Sequence, residues 1–314
     1  MVDRFLTAGP PFTTSIPDPT LERAILRALD GLLRALVLEP LDHDRFRVLG
    51  EPGRFDRIFG GQLIAQALLA ACATVEDKEP HSLHAYFVEG GPPEVPLEVA
   101  VERVRDGRSV ATRRITVTHG GRPLLTAIAS FHANAVQPRL AASGPPVPPP
   151  HELPLLQDWV REQAPDLARR NRPWVEQPPP LEMRIGEAPA FFGGSASEAA
   201  RTHWMRLPRD VGDDPRVHVA LLAYATDYLL LDMAFRAHPE IDAESAFIGS
   251  SLDHAVWFHA PVHLDRWHSY TQEAVAITGH RGLVRGAIHD ADGHLVASVV
   301  QEVLVRPGTR ARTP

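Results

Sequence analysis

The last long apolar run of the chain, HLVASVVQEVLV at 294–305, alternates as a strand does. One face carries Leu295, Ala297, Val299, Gln301, Val303 and Val305; the other carries Val296, Ser298, Val300, Glu302 and Leu304. A single amide, Gln301, stands on a face that is otherwise entirely apolar. A buried amide without a partner costs about 1–3 kcal/mol, so either Gln301 has polar company in the fold or this is not the buried face.

The patterning repeats along the chain. In the first half, helix-like GGQLIAQALLAACATV (60–75) precedes strand-like SLHAYFVEG (82–90), PLEVAVERVRDG (96–107), SVATRRITVTHGG (109–121) and RPLLTAIASFHA (122–133). In the second, RVHVALLAYATDYLLLDMAF (216–235) reads as one long helix before SLDHAVWFHAP (251–261), SYTQEAVAITG (269–279), RGLVRGAIHDADG (281–293) and the final run. The turn THGGRP matches DADGHL, and His84-Ala85 matches His254-Ala255, an offset of about 170 positions in both places. Strands DRFRVLG (44–50) and THWMRLP (202–208) are expected ahead of the two helices. Helices apolar on more than one side suit a position inside a curved antiparallel sheet. Strict βαβ alternation is absent, which disfavours a doubly wound parallel sheet.

The expected architecture is therefore α+β, two fused copies of a long helix wrapped by a curved antiparallel sheet. Residues 1–38 form an N-terminal extension with an amphipathic helix striped by Leu21, Ile25, Leu29, Leu32 and Leu36. The first copy spans 39–140, a Pro-rich linker 141–195, the second copy 196–308 and a tail 309–314.

Composition narrows the function classes. The chain has 314 residues, 44% hydrophobic and 23% charged, enough for two domains with a sizeable core. A net charge of −7 argues against nucleic acid or an anionic membrane as the main partner. Cys72, alone, forms neither an internal disulfide nor a cysteine-based zinc site, and a reducing, cytoplasmic setting is expected. The opening MVDRFLTAGPPFTTSIPDP has no apolar signal core. Gln62, Gln66, Asp227 and Asp232 interrupt the apolar stretches, so no run of about 20 residues suited to a membrane span is expected.

Several chemistries lack their signatures. There is no G-x-S-x-G elbow, P-loop or dinucleotide fingerprint. His254, His259, His263 and His268 are spaced at five, four and five; strand residues five apart face opposite sides, so no shared metal is expected. Cys72 lies in an apolar helix and reads as core. Asp227, in LLAYATDYLLL, would have Ala220, Ala223, Leu230 and Leu231 as helical neighbours. Desolvation there raises a carboxyl pKa toward that of a working base. By pattern alone such an Asp is more often a surface residue or a cap, Gln301 an edge residue, and Ser251 an ordinary strand-start serine. Arg281 and Arg285, four apart on a strand, share a face that either meets phosphate or is simply solvated.

The runs RIFGGQLIAQAL, HSLHAYFVEGG, RDGRSVATRRI and AIASFH, followed by YATDYLLL, SSLDHAVWFHAP, RGLVRG and DGHLVASVVQE, resemble the type II acyl-CoA thioesterases. The likeness covers roughly residues 30–305 in matching order. It implies a double hotdog fold and hydrolysis of acyl-CoA to free acid and CoA, with no metal or cofactor. The family's water-holding Asp, hydroxyl residue and Gln fall on Asp227, Ser251 and Gln301; the hydroxyl is Ser here where the family has Thr. Gly60 and Gly61, opening the first helix, are candidate substrate contacts, Arg281 and Arg285 candidate ligands of CoA phosphate by their shared face, and His84 a candidate lining residue of the acyl pocket in the first copy. Asp253 rivals Asp227 as the base but reads as structural, paired with an Arg or a backbone amide. Aligned by its turn, Ser130 takes the place of Gln301 in the first copy, so one competent site per chain is expected. Hotdog sheets tend to pair, so a homo-oligomer, a dimer or larger, is expected too. The competing readings are a non-catalytic acyl-CoA binding protein and a hotdog enoyl-CoA hydratase. The adjacency of Asp253 and His254 disfavours the hydratase, since neighbours in a strand point to opposite faces.

Overall fold

The two strand sets join into one sheet. A computed structural model describes residues 16–52, 56–133, 143–162, 165–239 and 247–307. The first half runs α1 (Pro19–Ala35), β1 (Glu39–Pro40), β2 (Arg45–Val48), α2 (Gly60–Cys72), β3 (Glu79–Phe87), β4 (Leu97–Asp106), β5 (Val110–His119) and β6 (Arg122–His132). Then come α3 (Leu156–Arg161), α4 (Pro165–Asn171), α5 (Pro173–Glu176) and β7 (Glu182–Ile185). The second half runs β8 (Arg201–Arg206), α6 (Pro215–Ala225), α7 (Leu230–Ala237), β9 (Phe247–Ser251), β10 (Asp253–Phe258), β11 (His268–Thr278), β12 (Arg281–Asp290) and β13 (Leu295–Pro307).

The sheet order is β1-β2-β4-β5-β6-β3-β10-β13-β12-β11-β8-β7, with β9 also paired to β13. Outward from their junction, β3-β6-β5-β4-β2 of the first copy corresponds to β10-β13-β12-β11-β8 of the second, and the copies meet where β3 pairs antiparallel with β10, from Asp253↔Tyr86 to Trp257↔Ser82. Helices α2 and α6 are buried against the inner face, with Ile64, Leu68, Leu221 and Leu222 fully enclosed. α1 starts at Asp18, whose carboxylate accepts the Thr20 amide at 2.8 Å. It buries Leu21, Ile25, Leu29 and Leu32, the stripe that its helical spacing predicts.

The register fixes the true offset between the copies. Each copy has a bulge, at Val104 in β4 and at Val275 in β11, 171 positions apart, and both side chains are about half exposed. Arg114↔Glu102 and Arg285↔Glu273 are then equivalent pairs. His84 therefore matches Ala255, not His254, and one residue of slip moves a side chain to the other face. Likewise Ala129, opposite Arg113, stands where Gln301 stands opposite Val284, so the counterpart of Gln301 is Ala129 and not Ser130.

Two further expectations change. The helix read over 216–235 is broken into α6 and α7. Taken whole, Pro215–Ala237 is long and apolar enough to cross a membrane, contrary to the sequence reading, but 94% of its most apolar window is buried inside the protein as the core helix of the second copy. The stretch expected as a linker, 141–195, carries α3, α4, α5 and the edge strand β7 in its described part. Its fold is anchored by Glu182, fully buried, which accepts from Arg184 Nε at 3.1 Å and from Arg206 Nε and Nη2 at 2.9 and 2.8 Å. Glu182→Ala removes the buried carboxylate that these two guanidinium groups share and is expected to lower stability by about 3–5 kcal/mol. A urea midpoint equal to that of the wild type would contradict this.

Candidate active site

The break between α6 and α7 makes a corner, residues 226–229, and Asp227 sits on it. No Gly or Pro causes the break; side chains do. The Thr226 hydroxyl donates back to Ala223 O at 2.7 Å, a bond that bends helices. From β11, the Tyr270 hydroxyl donates to Thr226 O at 2.9 Å and Gln272 Nε2 to Tyr228 O at 2.8 Å. Those carbonyls are thereby engaged by the strand, outside the helical ladder. Leu229 takes φ +64°, a left-handed conformation that costs a non-glycine residue about 1–3 kcal/mol and persists only where the surroundings enforce it. The sequence signal was the pair Tyr270 and Gln272, two apart on a strand and so on one face.

The Asp227 carboxylate receives a donor from each copy. Gln301 Nε2 donates to Oδ1 at 2.7 Å. The Gly61 amide, in the first turn of α2, donates to Oδ2 at 2.9 Å. The first amides of a helix have no intrahelical partner and carry its positive end, which suits a carboxylate. The approach needs glycine. A Cβ on Gly60 would lie 2.7 Å from Asp227 Oδ2, and one on Gly61 would lie 2.4 Å from Tyr224 O. Burial pushes the Asp227 carboxyl up, the Gln301 and Gly61 bonds pull it back, and the balance leaves it at about 6.

Gln301 thus has its polar company. It is fully buried, its amide nitrogen is spent on Asp227, and its Oε1 has no partner among the described residues. Ser251 ends β9 opposite Val303, on the inner face and one diagonal step from Gln301. Among the described residues no hydrogen bond joins Ser251 to either Asp227 or Gln301; diagonal neighbours are about 7–8 Å apart.

Other expected site residues lie elsewhere. His84 is exposed on the outer face and packs edge-on against Trp257 at 4.9 Å between centroids, so it does not line the interior. Arg281 and Arg285 share a face, as their spacing predicts. That face is the outer one, where they pair with Glu302 at 2.9 Å and Glu273 at 2.5 Å, turned away from Gln301. Asp253 accepts the Glu302 amide at 2.7 Å. His254 is buried and its Nε2 bonds the Thr226 hydroxyl at 2.9 Å. His259 bonds Ser298 and His268 bonds Arg266 O, so the four spaced histidines do not converge. His218, His263 and Asp265 bring ligand atoms within 4.8 Å, but both nitrogens of His218 are engaged, with Gly212 O and the Leu264 amide. Cys72 is buried, which pushes its thiol up to about 12.

Sequence reasoning missed two buried groups. Asp232 accepts the Ala190 and Phe191 amides and pairs with Arg201 at 2.5 Å, tying α7 to the 190–192 turn. Arg113 occupies the position in the first copy that Val284 holds in the second. It is fully buried and donates to Thr74 Oγ1 at 2.8 Å, Thr74 O at 3.1 Å and Asp106 at 2.5 Å. The place beside Ala129 is filled by a satisfied arginine.

Comparison with known proteins identifies the family. A family model described as Acyl-CoA thioesterase matches residues 176–304, and one described as Acyl-CoA thioesterase N-terminal domain matches 51–132. Acyl-coenzyme A thioesterase 8 of Mus musculus is 35% identical over 301 residues, covering 88% of this chain and 91% of that protein. The chain belongs to the acyl-CoA thioesterase family. Among its fellow thioesterases, Acyl-CoA thioesterase 2 of Haemophilus influenzae is 29% identical over 279 residues, covering 88% of this chain and 98% of that one. The crystal structure of acyl-CoA thioesterase II TesB2 from Mycobacterium marinum superposes with a TM-score of 0.71 at 32% identity, over 88% of this chain and 99% of that one. The double hotdog of this thioesterase is thus shared with solved relatives.

Proposed function

We propose that this thioesterase hydrolyses acyl-CoA to a free carboxylic acid and CoA by attack of a water held by Asp227, Ser251 and Gln301. The observation that carries the reading is the carboxylate at the helix corner, partly desolvated and held by one donor from each copy. Gln301 Oε1 and the Ser251 hydroxyl supply the remaining polar contacts for the water. Asp227 takes one water proton as the oxygen attacks the thioester carbon. The carbonyl oxygen becomes an oxyanion, and the Gly60 amide at the positive end of α2 is the donor proposed for it. The C–S bond then breaks, and the thiolate takes the proton from Asp227.

The test is thiol release from a panel of acyl-CoAs, short to long, followed against pH. Activity of the wild type should rise through about pH 6 as Asp227 ionises. Gln301→Leu removes a hydrogen bond to the ionised carboxylate, which should move that limb up by about one to two pH units and lower the plateau. A limb that stays in place, or no thiol release from any ester, would overturn the reading.

A further inference from the structure

Two adjacent residues that the proposed chemistry leaves unused, Asp253 and His254, grip the neighbours of the two residues it does use. We infer that Asp253 and His254 are positioning residues that jointly set the Asp227–Gln301 pair. Neighbours in a strand point to opposite sides, and here both sides are engaged. The Asp253 carboxylate accepts the backbone amide of Glu302, next to Gln301, at 2.7 Å. His254 Nε2 lies 2.9 Å from the hydroxyl of Thr226, next to Asp227. That hydroxyl gives its proton to Ala223 O, so the histidine is the donor and carries its proton on Nε2.

The Asp253 bond replaces one that regular structure does not supply. Leu252 interrupts the edge between β9 and β10, its amide donating to Glu302 O and its carbonyl accepting from Phe87. Asp253 stands in for the strand carbonyl that the Glu302 amide would otherwise meet. Thr226 closes α6, where the helical ladder ends. β10 is also the strand on which the two copies join, so one dipeptide at the centre of the sheet reaches both sides of the site. His254 is fully buried and stays neutral, so it serves as a fixed donor and not as a proton carrier.

This inference rests on the proposed roles of Asp227 and Gln301, and its test separates the two. Steady-state kinetics would be measured for His254→Leu, Asp253→Ala and Asp253→Asn, each alone and with Asp227→Asn. A misplacement near one ångström costs up to about a hundredfold, so His254→Leu and Asp253→Ala should each lower kcat by about tenfold to a hundredfold, with KM nearly unchanged. Asp253→Asn keeps an acceptor for the Glu302 amide and should restore most of the rate. On the Asp227→Asn background, His254→Leu should cost nothing more, because it acts through the carboxylate already removed. If His254→Leu does not fold, Thr226→Val removes that bond from its other end, together with the bond to Ala223 O, and should lower kcat at least as far, again with no further cost on the Asp227→Asn background. Wild-type kcat in His254→Leu or Thr226→Val, or losses that multiply on the Asp227→Asn background, would overturn the inference. An active Asp227→Asn single variant would instead overturn the proposed function.

Discussion

Asp227→Asn should reduce turnover by about 10²–10⁴ while leaving the fold intact, since that is the range a positioned general base supplies. The substitution is nearly isosteric. An amide keeps one carbonyl for the Gly61 amide, and Gln301 can rotate its own amide to present Oε1 to the new donor. Loss of rate without loss of structure is then the expected pair of results, read by thiol release and circular dichroism. Stability should move the other way. The fold pushes the Asp227 carboxyl from its ordinary 3.8 to about 6, so the folded chain binds this proton more tightly than the unfolded one. Stability therefore falls as pH rises from about 4 to 6 and levels off above, by at most about 3 kcal/mol. Asp227→Asn lacks this titration. Its Tm relative to wild type should climb across that window and hold its gain above pH 6. Turnover within tenfold of wild type would exclude Asp227 as the base.

Gly61→Ala is expected to be the second most damaging change. By intrinsic propensity alanine favours a helix by about 1 kcal/mol over glycine. The local geometry outweighs that. The added Cβ would meet Tyr224 O at 2.4 Å and Phe59 Cε1 at 2.5 Å, and a backbone carbonyl inside a helix cannot step aside alone. The start of α2 must move away from α6, taking the Gly61 amide off Asp227. Overpacking of this kind costs about 1–3 kcal/mol. The lost alignment should lower kcat by about a hundredfold. Paired measurements of Tm and kcat would check this; an unchanged value of either would mean that the two helices are not held in contact by this glycine.

The sequence reading and the structure agree where the physics is periodic. The twofold repetition of helix and strands, and the placing of Gln301 on an inward face, follow from alternation that any buried sheet imposes. They diverge where a single residue decides. Matching His84 to His254 was off by one, because the bulges and turns that set the register leave no mark in the hydrophobic pattern; the slip put an exposed histidine in the interior. Arg281 and Arg285 do share a face, but spacing alone cannot say which face. The helix break at Asp227 is invisible locally, since Tyr270 and Gln272, more than forty residues away in sequence, engage the carbonyls. The run from 141 to 195 looked like linker because its prolines mask the short helices and the buried charges of its later part. Glu182, Arg113 and Asp232 became intelligible only with their partners in place.

The joint between the copies carries a consequence for how activity is lost. Asp227 and Gln301 belong to one half and the Gly61 amide to the other, and the β3–β10 ladder holds those halves in register. With the chemistry proposed for these groups, catalysis reports on the seam itself. Under mild denaturant, turnover should fade with the first loosening between halves, before either half melts, and proteolytic fragments cut between them should regain rate only on reassociation.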